Sequence, residues 1–368
     1  MLNKIIKSKS LKHAAGSNSN EFVLFFGHGK TEMRGGPVIF LSLYERWSYT
    51  EKYIIYEKSY IQAIKKLCVF LKNKKISALI LENEYFTEVF LALLLKAMNG
   101  KLIIYGPAYH IPARPKLGTG FINSIIHYVD YRLGLWLMSY IYSGIYTENS
   151  FMKNYIKSLN KNQDVIIESP GIKEDNIIPL QDVKNLNRDI DFLYLTTMSR
   201  NKGIYDFLTL IKEIQKEHKH IKTAIAGYAT NEMLDYINQF LKNNNIQNIE
   251  IYPNINENDK YKLYSRSKIY VLPSVEDGIP ITFYEAWSYG VIVIAYELNT
   301  YSDILNYIIP VESGNISELV YNCSKVYNNY KSIFYDMVTM CYNYSSNHSY
   351  YNGINKIITC VYKKINLS

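Results

Sequence analysis

At 368 residues the chain exceeds what one ordinary hydrophobic core supports and fits two domains of usual size. With 48% hydrophobic and 20% charged residues it is a globular sequence, which excludes a disordered or fibrous chain. The net charge of +8 is unevenly spread: residues 1–185 carry 24 Lys/Arg to 15 Asp/Glu, and residues 186–368 carry 17 to 18. A basic front half suits an anionic partner surface, whether membrane, lipid phosphate or nucleic acid, and is equally compatible with a merely soluble basic domain.

The chain opens on a basic tail, residues 1–20, with Lys4, Lys7, Lys9 and Lys12 but without the long apolar stretch of a secretion signal. "EFVLFFG" (21–27) reads as a strand, and "GGPVIFLSLYERW" (35–47) opens a helix at Gly35 and Gly36. "ISALILE" (76–82) is a second strand, "YFTEVFLALLLKAMNG" (85–100) an apolar helix stopped by glycine, and "KLIIYGP" (101–107) a third strand. Residues 113–144 are aromatic and apolar with Arg114, Lys116 and Arg132, the mark either of a membrane- or acceptor-facing helix or of a buried one. "SGIYTEN" and "DVIIESPG" add two short strands, and "NIIPLQDVKNLNRD" is polar and without clear periodicity.

The alternation then restarts. Strands "IDFLYLTT", "IKTAIAG", "IEIYP", "KIYVLPS" and "VIVIAYE" alternate with helices "GIYDFLTLIKEIQKEH", "NEMLDYINQFLKNNN", "ENDKYKLYSRS" and "PITFYEAWSYG". Runs of βα units predict parallel sheets flanked by helices, and two series split near 180–190 predict two Rossmann-like domains. No run reaches the length of a membrane-spanning helix. Cys68, Cys323, Cys341 and Cys360 lack CxxC or Cys/His spacing, which predicts reduced cytosolic thiols and no zinc site.

Ligands of such sheets bind beyond the carboxyl ends of strands, where glycine admits a close backbone and helix N-termini favour anions. Three loops of the second series fit. In "TTMSRNKGIYDF" (196–207), Arg200 and Lys202 precede a helix opened by Gly203; cations oppose the helix dipole there, and a phosphate would satisfy them. "AIAGYATNEM" (224–233) carries Gly227 and is a weak signal alone. "PSVEDGIPITFYEAWSYG" (273–290) places Glu276, Asp277 and Gly278 before a helix whose Glu285 sits among aromatics. A carboxylate there costs free energy unless hydrogen-bonded, and a sugar or ribose diol offers two O–H donors to one carboxylate.

This last stretch resembles the signature of the family 4 glycosyltransferases (glycosyl transferases group 1), roughly PSxxEGxPxxxxEAxxxGxPVxA. Matching Pro273 and Ser274 puts the first motif acid at Asp277 and leaves Glu276 outside the register; Gly278, Pro280, Glu285, Ala286, Gly290 and Ala295 then fall into place. "SRNKG" sits where the family has its Arg-and-Lys loop, and "SPGI" (169–172) where a proline- or asparagine-glycine turn closes the first domain. Two departures stand out. The first acid is Asp, one methylene short, and Thr197 occupies the place of the family arginine, five before Lys202.

The resemblance implies an α/β protein of GT-B fold, two Rossmann-like domains facing a central cleft. Expected borders are 21–185 for the acceptor domain, 186–340 for the nucleotide-sugar domain, and 341–368 for a helix returning to the first. Asp277 is implied on the donor sugar and Glu285 on the ribose, with Gly278, Ile279 and Pro280 lining the donor. Arg200 and Lys202 would neutralise the diphosphate, so that no metal and no cofactor beyond the donor substrate is expected. In the first domain Gly35 and Gly36 resemble the family's glycine-rich turn, His110 resembles its histidine near the reacting sugar, and His28 is a weaker candidate. Asp189 and Asp191 share the DxD spacing of metal-dependent transferases of another fold, and are read here as a solvated linker. The resemblance implies sugar transfer, with retention of anomeric configuration, from a nucleotide-diphosphate sugar to a glycan or polyprenyl-linked acceptor in surface polysaccharide synthesis. The expected place is the cytoplasm with room for a peripheral membrane contact, and no nucleic-acid partner. The rivals are a nucleotide-sugar 2-epimerase of the same fold and an inactive nucleotide-sugar-binding scaffold.

Overall fold

The computed structural model describes residues 22–28, 35–57, 59–73, 76–110, 121–168 and 171–367. The chain divides into two compact units, Met1–Ser169 with Tyr351–Ser368, and Pro170–Tyr350.

The first unit runs β1 (Phe22–His28), α1 (Gly35–Arg46), β2 (Glu51–Glu57), α2 (Tyr60–Asn73), β3 (Ala78–Leu81), α3 (Phe86–Met98), β4 (Ile103–Pro107), α4 (Phe121–Ile141), β5 (Gly144–Thr147), α5 (Ser150–Leu159) and β6 (Val165–Ile167). Its parallel sheet has the order β2-β1-β3-β4-β5-β6. Right-handed crossovers then put α2 to α5 on one face and α1 on the other. The packing agrees. Leu24 and Phe26 meet Leu67 of α2, Val89 of α3, Leu135 of α4 and Met152 of α5 in one core, while Phe25 points the opposite way, edge-on to Phe40 and Trp47. The pair β2 and α2 has no counterpart in the sequence reading. β2 is an edge strand in which only Ile55 of the short run Tyr53–Tyr56 is buried.

The second unit runs α6 (Leu180–Lys184), β7 (Ile190–Leu195), α7 (Ile204–Glu217), β8 (Thr223–Gly227), α8 (Asn231–Asn243), β9 (Ile249–Pro253), α9 (Glu257–Arg266), β10 (Ser267–Leu272), α10 (Ile281–Ser288), β11 (Ile292–Tyr296), β12 (Ile309–Val311), α11 (Ile316–Asn328) and α12 (Tyr330–Asn347). The sheet order is β12-β11-β10-β7-β8-β9, all parallel. From β7 the chain builds outward through β8 and β9, then returns to lay β10 against the other side of β7. The topological switch point therefore lies between β7 and β10.

Helix α13 (Tyr350–Asn366) returns to the first unit: Tyr362 stacks on Tyr49 at 4.1 Å, the Arg46 guanidinium lies 3.7 Å from the Tyr351 ring centre, and Lys356 pairs with Glu168 at 2.5 Å. The two compact units part at 169/170 and at 350/351. Ile172 explains the first, because its N–H donates to His348 and its carbonyl accepts from Tyr350, tying the linker to the end of the second unit.

Candidate active site

The loops that follow β7 and β10 leave the sheet side by side at the switch point. Tyr194, buried at the end of β7, holds its hydroxyl 3.0 Å from the Thr197 carbonyl and 3.2 Å from that of Lys202, which folds the first loop back on its strand. The Asn201 carbonyl accepts from the Val275 N–H at 3.0 Å and from Ser274 Oγ at 3.1 Å, joining the two loops. Gly203 caps α7 at φ +75°, and a Cβ there would fall 1.9 Å from the Pro273 carbonyl oxygen. Only glycine fits this approach. The loop after β8 joins them, since a Cβ on Gly227 (φ +129°) would lie 2.0 Å from the Thr196 carbonyl oxygen, and the Met198 N–H donates to Tyr228.

This stitching sets Lys202 Nζ 2.6 Å from Asp277 Oδ2. Thr300 Oγ1 donates to the Asp277 carbonyl at 2.8 Å and fixes the turn from behind. Gly278 and Ile279 are buried just beyond it, and Pro280 is the N-cap of α10, its fixed φ suited to a helix start.

One turn into α10 stands Glu285, 4% exposed. Both of its oxygens are hydrogen-bonded from α9: Oε1 by Lys260 Nζ at 2.5 Å and Tyr261 OH at 3.2 Å, and Oε2 by Tyr264 OH at 3.2 Å. Burial, and then the Glu285 charge, push both phenols far above the ordinary tyrosine value, so they remain donors. Aromatic packing of Trp287 and Phe283 with Tyr301 and Tyr307 seats the helix. A carboxylate offers about four lone-pair sites, so one further hydroxyl donor has a place on Glu285 beside these three.

Arg200 stands apart from the pair. Its side chain is exposed with the guanidinium 5.3 Å from the Tyr205 ring centre, and it is Lys202 that meets Asp277. The Asp189–Asp191 run is no solvated linker. Asp191 is 6% exposed inside β7, bound by Lys268 Nζ at 2.6 Å and the Lys222 N–H at 2.9 Å. Asp189 takes both arms of the Arg266 guanidinium, at 2.9 and 2.8 Å, which hold its carboxyl below the usual range. The linker reading failed because those cations lie far along the chain.

In the first unit, Gly35 and Gly36 open α1 after β1, and His110 follows β4 with its ring 5.3 Å from that of Tyr131. Glu84, three residues past the end of β3, is 1% exposed and accepts from the Tyr109 N–H at 3.3 Å. These positions lie at the carboxyl end of neighbouring strands β1, β3 and β4. Burial raises the Glu84 carboxyl to about 7, against the opposing pull of His110. The side chain of His28 lies outside the described residues.

Lys260, Tyr261, Tyr264 and Thr300 went unnoticed in the sequence. A signal existed: a buried acid on α10 demanded a cation, and "ENDKYKLYSRS" offers lysine and tyrosines at helical spacing two elements earlier.

The family model described as glycosyl transferases group 1 matches residues 179–330. No curated protein matches the sequence. Among solved structures, sucrose-phosphate synthase from Thermosynechococcus elongatus is similar at a TM-score of 0.75 and 11% identity, over 95% of this chain and 100% of that one. Anabaena HepE, solved with UDP and glucose, is similar at 0.69 and 9%, over 93% and 99%. A glycosyltransferase from Rickettsia africae is similar at 0.66 and 13%, over 95% and 100%. At such identities the likeness carries the fold.

Proposed function

We infer, from a glycosyl transferases group 1 domain over residues 179–330 and two Rossmann-like units of GT-B type, that the protein is a metal-independent hexosyltransferase using a nucleotide-diphosphate sugar. The observation that carries this reading is the pairing at the switch point: Lys202 on Asp277, and the buried Glu285 on the helix that follows. Asp277 is assigned to a hydroxyl of the donor sugar and Glu285 to the ribose diol. Gly278, Ile279 and Pro280 line the donor between them. Lys202, with Arg200 from the same loop, neutralises the diphosphate and stabilises charge as it develops on the leaving group. The consumption of Asp189 and Asp191 by Arg266 and Lys268 supports the absence of a DxD-type metal site from the proposal.

Gly35, Gly36 and His110 are assigned to the reacting sugar and acceptor side. The acceptor is a glycan or polyprenyl-linked sugar in surface polysaccharide synthesis, met at the inner membrane face. Asp277 and Glu285 are both given to donor hydroxyls, so retention through same-face attack, with the leaving phosphate taking the acceptor proton, is the mechanism favoured here.

Thermal shift with a panel of UDP-, GDP- and ADP-sugars tests the reading. At least one donor should raise the melting temperature, and Asp277→Ala and Glu285→Ala should abolish the rise. No shift with any donor, and the same profile in both variants, would overturn it. Slow release of UDP or GDP from the bound donor favours a transferase over a binding scaffold, whereas conversion of the donor to its 2-epimer would assign the epimerase activity.

A further inference from the structure

The outward face of the first unit inverts the usual rule. On α3, Phe90, Leu94 and Met98 recur every fourth residue and are all exposed, Met98 at 80%. On the neighbouring α4, Val129, Leu133 and Trp136 follow the same stripe, with Tyr140 one turn further. Water-facing helices carry charge on that side. Here the exposed positions described on α4, Ile125 and Ile126 included, are all apolar or aromatic.

Charge surrounds this ridge on both sides. Helices α2 to α5 hold seven Lys/Arg and two acids, of which Glu88 is buried and Asp130 half-buried. Lys65 and Lys72 lie exposed on α2, which touches α3 through the Tyr60 hydroxyl on the Thr87 carbonyl. Lys153 and Lys157 lie on α5, beyond α4. An apolar centre between two basic flanks matches the interface of an anionic bilayer, acyl chains in the middle and phosphates at the edges. Trp136 and Tyr140 are the amphipathic aromatics that settle at headgroup depth. A second copy would set basic flank against basic flank. Among the described residues no helix is long and apolar enough to cross a membrane, so the contact is one of surface.

We propose that the α3/α4 ridge with its lysine flanks is a peripheral docking surface for an anionic phospholipid bilayer. It deepens the membrane contact in the functional reading above and rests on that reading for its purpose.

The test uses the full chain with vesicles of phosphatidylglycerol and phosphatidylcholine, against phosphatidylcholine alone. The protein should sediment with the anionic vesicles, and its emission should shift to the blue. Trp136 is the reporter, since Trp47 and Trp287 are already buried. Leu94→Glu with Leu133→Glu should weaken partitioning at least tenfold, and Lys65→Glu with Lys72→Glu at least tenfold at low salt. The donor-induced thermal shift, measured on the same variants, should be unchanged, which establishes that they fold and separates this proposal from the sugar-transfer reading. Quenching of wild-type Trp136 by brominated lipid gives a measurement independent of any variant. Absence of binding to anionic vesicles, equal binding by the Leu94/Leu133 variant, or a solution dimer that this variant makes monomeric would each overturn the docking surface.

Discussion

Lys260 and Glu285 form the most deeply set ion pair at the candidate site, with the lysine side chain 19% and the glutamate side chain 6% exposed. Removing one partner of a buried pair strands the other, so Lys260→Met is expected to cost about 3–5 kcal/mol in urea unfolding. The double variant Lys260→Met with Glu285→Leu should recover most of that loss, because an apolar pair of similar volume carries no stranded charge. Glu84 makes a prediction of opposite character. Its unfolded carboxyl releases its proton near 4.5 and the folded one near 7, so between these values the folded state holds a proton that the unfolded state has lost. Stability therefore falls as pH rises through that window, by up to about 3 kcal/mol, and is level above it. Glu84→Gln should flatten the wild-type decline between pH 5 and pH 8 in thermal unfolding. An equal decline in both proteins would refute the burial argument.

At the scale of elements, the switch-point loops depend on one close approach. Gly203→Ala combines a left-handed backbone with a Cβ 1.9 Å from a carbonyl oxygen, so it should lower stability by roughly 2 kcal/mol or more and move Lys202 away from Asp277. Loss of donor binding in that variant, at a temperature where it remains folded, would show the displacement. These loops were legible in the sequence because their signals are local: a strand end, a glycine, a helix start, all within some fifteen residues. What escaped was set by distance or by weak patterning. Lys260 reaches Glu285 from another helix, Lys268 reaches Asp191 from another strand, and edge strand β2 has only a four-residue run, Tyr53–Tyr56, between charged neighbours. The βα alternation, by contrast, was readable over most of both sheets, since central parallel strands are buried on both faces and keep an unbroken apolar run.

At the scale of the whole molecule, the feature with the widest reach is the return of α13 to the first unit. The helix buries Ile354, Ile357, Ile358, Val361 and Ile365, each contributing about 1.5–3 kcal/mol by transfer. A chain stopped after residue 349 should therefore lose amide exchange protection in α1 while β7 to β11 keep theirs, as hydrogen–deuterium exchange would report. The same arrangement imposes an order on synthesis. As the chain leaves the ribosome the first unit cannot be finished before the second, because the helix that covers it follows the second unit along the chain. The second unit, complete once residue 350 has emerged, can close first, and the first unit is sealed after it. A translating chain arrested just short of α13 would thus present one finished unit and one still accessible to chaperones and proteases, with the 17 residues of α13 deciding the moment of completion.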